Sequence, residues 1–163
     1  MTGIEIDQNL VDAVIRSTNV GLQMAGIVPK PVGCSRLPSR AQEISVLIGI
    51  VGRSYGVVTL NASRQVALRL ANKFMDADIA EVNDQVLDAL GEITNIVAGK
   101  LKAELVGDKH EITSISCPSI VVGADYYLHH FRGFKTVSVE FELEEVPTMF
   151  YKERFFSTTV SLG

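Results

Sequence analysis

Glu92 and Asn95 stand three residues apart in the stretch from Gln85 to Leu105, whose pattern is that of an amphipathic helix. Val86, Leu90, Ile93, Val97 and Leu101 recur at spacings of four, three, four and four, and at about 100° per residue they make one apolar stripe. Gln85, Asp88, Glu92, Asn95, Gly99 and Lys102 fall on roughly the opposite side, with Gly91 beside them. A carboxylate and a carboxamide one turn apart can reach a common point above the helix. The amide of Asn95 does not titrate near neutral pH, so it is no general base, but it can accept from one group and donate to another at once. The spacing makes it geometrically possible for the two to act on one group, and shows no more than that. Taken alone, Glu92 reads first as a solvated side chain, paired with Lys100 or with nothing.

The same face carries residues that weaken a helix. Gly91 and Gly99 are each about 0.8 to 1.0 kcal/mol worse than alanine in a helix interior, and Asn95 adds about half a kcal/mol. Two glycines flanking Asn95 leave a low stretch on which a partner can rest, or on which a second helix of the same chain can pack. The residues leave both readings open.

Around this segment the chain reads as alternating helices and strands. A first helix is expected over 7–26, with Leu10, Val11, Val14, Ile15, Leu22 and Met24 at helical spacing and Gly26 and Pro29 as stops. Residues 29–38, rich in Pro and Gly, read as an edge strand, a broken strand or a loop. Residues 44–51 are apolar on both faces and read as a central strand, followed by a hairpin turn over 52–56 into 57–60. Ser63 is a candidate N-cap for a second helix, and Asn83 or Asp84 for the long one. Strands are expected in 113–122, interrupted at 117–119, in 136–143 and in 154–162. Strands joined by short turns, with helices between, predict an α+β fold: a largely antiparallel sheet of about six strands with the long helix and other helices packed on it. Each half reads as a helix followed by about three strands, and 17–20 (Ser-Thr-Asn-Val) echoes 93–96 (Ile-Thr-Asn-Ile).

Bulk composition limits the function classes. With 163 residues, 47% hydrophobic and 21% charged, the chain has the composition of one ordinary globular domain, spanning 1–163, rather than of a disordered segment. Fifteen Lys plus Arg against 19 Asp plus Glu give a formal net charge of -4, which argues against a nucleic-acid surface. No apolar run is long enough to span a membrane, and no basic region precedes an apolar one at the start, so a soluble, cytoplasmic protein is expected.

Other constellations are weak. Cys34 and Cys117 lack metal-ligand or redox spacing and read as small buried hydrophobes of a reducing compartment. His129 and His130 are adjacent, so on a strand they would face opposite ways, and His110 stands alone, which leaves no metal site. Arg36 and Arg40 can hold an anion or form a solvated basic loop. No nucleophile elbow or phosphate-binding loop is present, and Cys34 lacks the arginine spacing of a cysteine phosphatase.

Residues 90–100 (Leu-Gly-Glu-Ile-Thr-Asn-Ile-Val-Ala-Gly-Lys) resemble the Glu-x-x-Asn helix of the CheC, CheX and FliY family, phosphatases of the chemotaxis response regulator CheY. Residues 117–123 (Cys-Pro-Ser-Ile-Val-Val-Gly) resemble the Pro-Ser-Val-Val-Val-Gly stretch that follows this helix in CheX-type members. The N-terminal helix closing in Met24-Ala25-Gly26 also fits, so the resemblance covers nearly the whole chain. CheC-type members carry the acid and the amide in both halves, whereas here Arg16 precedes Asn19 by three residues. The resemblance is therefore to CheX, with one site per chain.

The resemblance implies an enzyme that hydrolyses the aspartyl phosphate of a CheY-like regulator in chemotaxis or two-component signalling. Asn95 would position the attacking water and Glu92 would pair with the regulator's active-site lysine, while Asp88, Gly91, Gly99 and Lys102 would contribute to docking. The chain would need no cofactor of its own, because Mg²⁺ would be bound by the regulator. A homodimer is also implied. Two other readings remain: a non-catalytic regulator-binding or flagellar-switch-like adaptor of the same fold, and a structural dimerisation domain. Exposure of Asn95 separates the last from the others.

Overall fold

The computed structural model describes residues 5–129 and 133–163. Helix α1 (Gln8–Gln23) is followed by strands β1 (Lys30–Ser35), β2 (Ile44–Gly52) and β3 (Tyr55–Ala62), then by helices α2 (Arg64–Met75) and α3 (Asp84–Glu104). Strands β4 (Ile112–Ile115), β5 (Ser119–Val122), β6 (Lys135–Glu142) and β7 (Phe155–Leu162) complete the chain, with a 3-10 turn at Thr148–Glu153.

Local chemistry starts each helix. The side chains of Asp7, Ser63 and Asn83 accept from the backbone N–H of Leu10, Val66 and Val86, satisfying donors that have no partner inside the helix. Helix α2 ends where Asp76 turns left-handed (φ 52°). The hairpin between β2 and β3 is tighter than the expected 52–56 turn, with only Arg53 and Ser54 between the strands.

The sheet is antiparallel and seven-stranded, in the order β1-β6-β7-β3-β2-β4, with β5 also paired to β2. The expected run over 113–122 is thus two short strands that share one partner, which accounts for seven strands in place of about six. The order reads alike from both ends: each half supplies one inner hairpin, β2-β3 or β6-β7, and its own edge. Counting forward from the caps Asp7 and Asn83 sets Asp12 against Asp88, Arg16 against Glu92, Asn19 against Asn95, Gly21 against Val97 and Gln23 against Gly99. Gly21 and Val97, equivalent in this count, touch each other: a Cβ added at Gly21 would lie 2.8 Å from Val97 Cγ2.

One face of the sheet is the core. Ile44, Val46, Ile48 and Ile50 of β2, Val58 and Leu60 of β3, and Phe141 and Phe156 are all buried with the apolar stripes of the helices. The other face is lined by small polar residues that bond across strands, Ser45 donating to Asn61 and Ser138 and Thr159 lying 2.7 Å apart, and Tyr126 of the segment after β5 donates to Ser45 at 2.6 Å. Two cysteine expectations are corrected. Cys34 and Cys117 are exposed, because β1 is an edge strand whose residues all face solvent and Cys117 sits in the turn between β4 and β5. His129 lies in an irregular segment rather than on a strand, and His130 falls outside the described residues.

Candidate functional site: the exposed face of the long helix

Val86, Leu90, Ile93, Val97 and Leu101 are each at most 1% exposed. Burial of five such side chains, at about 2 kcal/mol each, outweighs the roughly 2 kcal/mol that two glycines cost the helix. The core therefore fixes the orientation of α3, and its opposite face can carry residues that helix stability disfavours.

On that face Glu92 and Asp88 are exposed, while Asn95 and Lys102 are half-buried. Three residues along the helix place Asn95 about 4.5 Å further along the axis than Glu92 and about 60° around it. The side chains of Gln85, Asp88, Glu92, Asn95 and Lys102 make no hydrogen bond or ion pair with any described residue. Lys100 is exposed and likewise does not pair with Glu92. The face thus presents a carboxylate and a carboxamide free to bond to something outside the chain.

The two glycines differ. Gly91 is buried beneath the turn between β4 and β5, where an added Cβ would lie 3.6 Å from both Cβ and Cγ of Pro118 and 3.9 Å from Cδ1 of Ile120. The surface beside Glu92 is therefore formed by Pro118 rather than by bare glycine backbone. That turn is pinned to β2, with Ser116 N–H donating to Gly49 O at 2.8 Å and Gly49 N–H to Ser116 Oγ at 2.8 Å. Gly99 is half-exposed, with nothing within 4 Å of an added Cβ. The place where two helices approach closely lies elsewhere, at Gly21 on Val97.

Helix α1 lacks such an open face. Gln8 donates to Asp12 at 2.9 Å and Arg16 pairs with Glu104 at 2.8 Å, while the Oδ1 of Asn19 is buried without a partner. A separate ionic knot, which sequence reasoning missed, ties its N-terminus to the chain after α3. Asp7 Oδ2 lies 2.7 Å from Lys109 Nζ and 2.9 Å from His110 Nε2. The Lys109 ammonium, helped by His110 and the Leu10 N–H against the effect of burial, holds the Asp7 carboxyl down to about 2. Among the described residues no three His, Cys, Asp or Glu side chains are gathered to hold a metal ion, and no helix is long and apolar enough to cross a membrane. Arg36 and Arg40 are both exposed.

An α+β protein with a seven-stranded antiparallel sheet, bearing a free Glu-x-x-Asn pair on the outer face of its long helix, is the class that these features define. The family model described as chemotaxis phosphatase CheX matches residues 44–142, more than half of the chain, and the chain belongs to this family. Among curated proteins it is 29% identical over 136 residues to the CheY-P phosphatase CheX of Thermotoga maritima, which covers 77% of this chain and 83% of that protein. A CheC-like superfamily protein from Shewanella sp. PV-4 superposes with a TM-score of 0.80 at 20% identity, covering 97% of this chain and 99% of the other. The solved CheX-CheY-BeF3-Mg²⁺ complex from Borrelia burgdorferi matches with a TM-score of 0.77 at 18% identity, again over 97% and 99% of the two chains.

Proposed function

We propose that this protein hydrolyses the aspartyl phosphate of a CheY-like response regulator, with α3 as the surface that meets the regulator. The observation that carries the reading is the free pair of Glu92 and Asn95 on an outward helix face, in a chain of the CheX family. The curated Thermotoga maritima relative is a CheY-P phosphatase, and the Borrelia burgdorferi complex holds CheX with CheY, BeF3 and Mg²⁺. BeF3 is a mimic of a phosphoryl group, so that complex joins a protein of this fold to a regulator in the presence of such a mimic.

The division of labour follows from the chemistry. Hydrolysis of an acyl phosphate needs a water in line with phosphorus and neutralisation of the charge on the transferring group. In this reading the regulator supplies the charge neutralisation through its Mg²⁺ and lysine, and this chain supplies the water's position. The Asn95 carboxamide accepts a hydrogen bond from the water and donates one to a phosphoryl oxygen, fixing the attack angle without taking the proton. Glu92 pairs with the regulator's lysine and sets the register of docking, a contact made of charge rather than basicity. Asp88 and Lys102 flank the pair and steer the partner. The chain acts as one unit over residues 1–163, in the cytoplasm and as a homodimer.

The test is to mix the purified protein with receiver domains phosphorylated in Mg²⁺ and to follow the loss of aspartyl phosphate. Wild type accelerates the loss and Asn95→Ala does not, although Asn95→Ala still binds the BeF3-activated receiver. An Asn95→Ala protein that keeps most of the activity overturns the assignment.

A further inference from the structure

The helical glycines of this protein fall into distinct cases, and one of them meets no described residue that would require it. Gly21 must be small because an added Cβ would collide with Val97 Cγ2 at 2.8 Å. Gly91 accommodates Pro118. Gly99 has nothing within 4 Å of an added Cβ, stands inside α3 with five helical residues after it, and is not among the positions with positive φ. Neither close approach within the chain, nor a helix cap, nor a left-handed backbone accounts for it, yet glycine weakens a helix interior. What remains is close approach by a surface outside the chain.

Its position and its counterpart support this. Gly99 lies seven residues beyond Glu92, about 10.5 Å along the axis and about 20° around it, on the same exposed face and one turn past Asn95. In the cap-aligned comparison α1 keeps the amide, Asn19, but carries Arg16 in place of the acid and Gln23 in place of this glycine. The acid and the glycine are thus present together on one helix and missing together from the other.

We propose that Gly99 is a positioning residue of the docking site: the receiver domain's backbone comes down on α3 over Gly99, and a side chain there would lift the phosphoryl group away from Asn95. The footprint then runs from Glu92 toward Lys102, not toward Gly91, which Pro118 already covers. This inference rests on the proposed phosphatase reading.

The experiment uses the full chain with Gly99→Ala, Gly99→Leu and, as a control on an exposed neighbouring position, Lys100→Leu. Dephosphorylation is measured over a range of receiver concentrations, beside the thermal midpoint. The half-saturating concentration is expected to rise about tenfold in Gly99→Leu and by less in Gly99→Ala. The thermal midpoint of Gly99→Ala should be unchanged or higher, and Lys100→Leu should match wild type in both readings. Unchanged half-saturation in Gly99→Ala and Gly99→Leu overturns the inference, as does a loss that follows a fall in thermal midpoint or is equalled by Lys100→Leu. Gly99→Ala, which favours the helix, decides the matter if Gly99→Leu fails to fold. A wild-type protein that dephosphorylates no receiver domain removes the parent reading, and the inference with it.

Discussion

Helices α1 and α3 are built to one plan and put to different ends. Both start at a side-chain cap, bury an apolar stripe against the same sheet, contain a fully buried threonine, and hold a half-buried asparagine at the equivalent position. On α1 the residues that match Asp88 and Glu92 are satisfied within the chain, Asp12 by Gln8 and Arg16 by Glu104. On α3 Asp88 and Glu92 themselves bond to no described residue. A fold can thus carry two similar surfaces and offer only one of them, the difference lying in whether the side chains at these two positions already have partners.

The largest effect is expected from removing the two asparagines in turn. Asn95→Ala should lower the stimulated dephosphorylation rate at least about a hundredfold, the scale of a lost positioning or transition-state contact, whereas Asn19→Ala should leave it within about twofold. Equal losses in single-turnover assays would show that the amides serve the fold rather than the reaction. A second contrast lies in the glycines. Gly21→Ala drives a Cβ into Val97 and should destabilise the protein by about 1–3 kcal/mol in denaturant titrations, despite the better helix propensity of alanine.

The two caps give a third. Because the folded carboxyl of Asp7 sits at about 2, below its usual 3.8, its contribution to stability is present above about pH 4 and is lost as the pH falls toward 2. Asp7→Asn should cost about 1 kcal/mol at pH 6, once the exposure of Lys109 is allowed for, and almost nothing near pH 2. The neutral cap Asn83, replaced by Ala, should cost about 1 kcal/mol at both pH values. Urea titrations at pH 6 and near pH 2 distinguish the two behaviours. The smallest expected effect is that of Arg16→Glu. It places an acid on α1 but leaves Gln23 in the place of Gly99, so the rate per chain should not rise. A doubled rate would show that the acid alone was missing.

Much of the fold was legible because its strongest signals are periodic. The stripe of α3 and the alternation of β6 and β7 depend on neighbours a few residues away, and their elements lie within a residue or two of expectation. Edge features were harder to read. Pro31 and Gly33 blurred β1, whose pairing with β6 shifts register between those residues, and the split between β4 and β5 is visible only once both are seen to share β2. The cysteines were misread because residue type reports average burial, not position at a sheet edge. For the site, spacing placed Glu92 and Asn95 on one face. It could not show that Pro118 covers Gly91 or that Arg16 is tied to Glu104, since those contacts join residues far apart in sequence.

The strand order also has a consequence for how the protein is made. β7, the last strand in sequence, lies between β3 and β6, and among the described strands β1 pairs with β6 alone. Neither half can close its own sheet, so the pairings that join the halves span most of the chain and come with the slow, entropically costly loop closures of non-local topologies. A chain shortened before Phe155 would leave β3 and β6 as bare edges, with the apolar residues of the inner hairpin uncovered and open to pairing with other copies. The surface on α3 would therefore come into being late, only after the end of the sheet has been threaded into its middle.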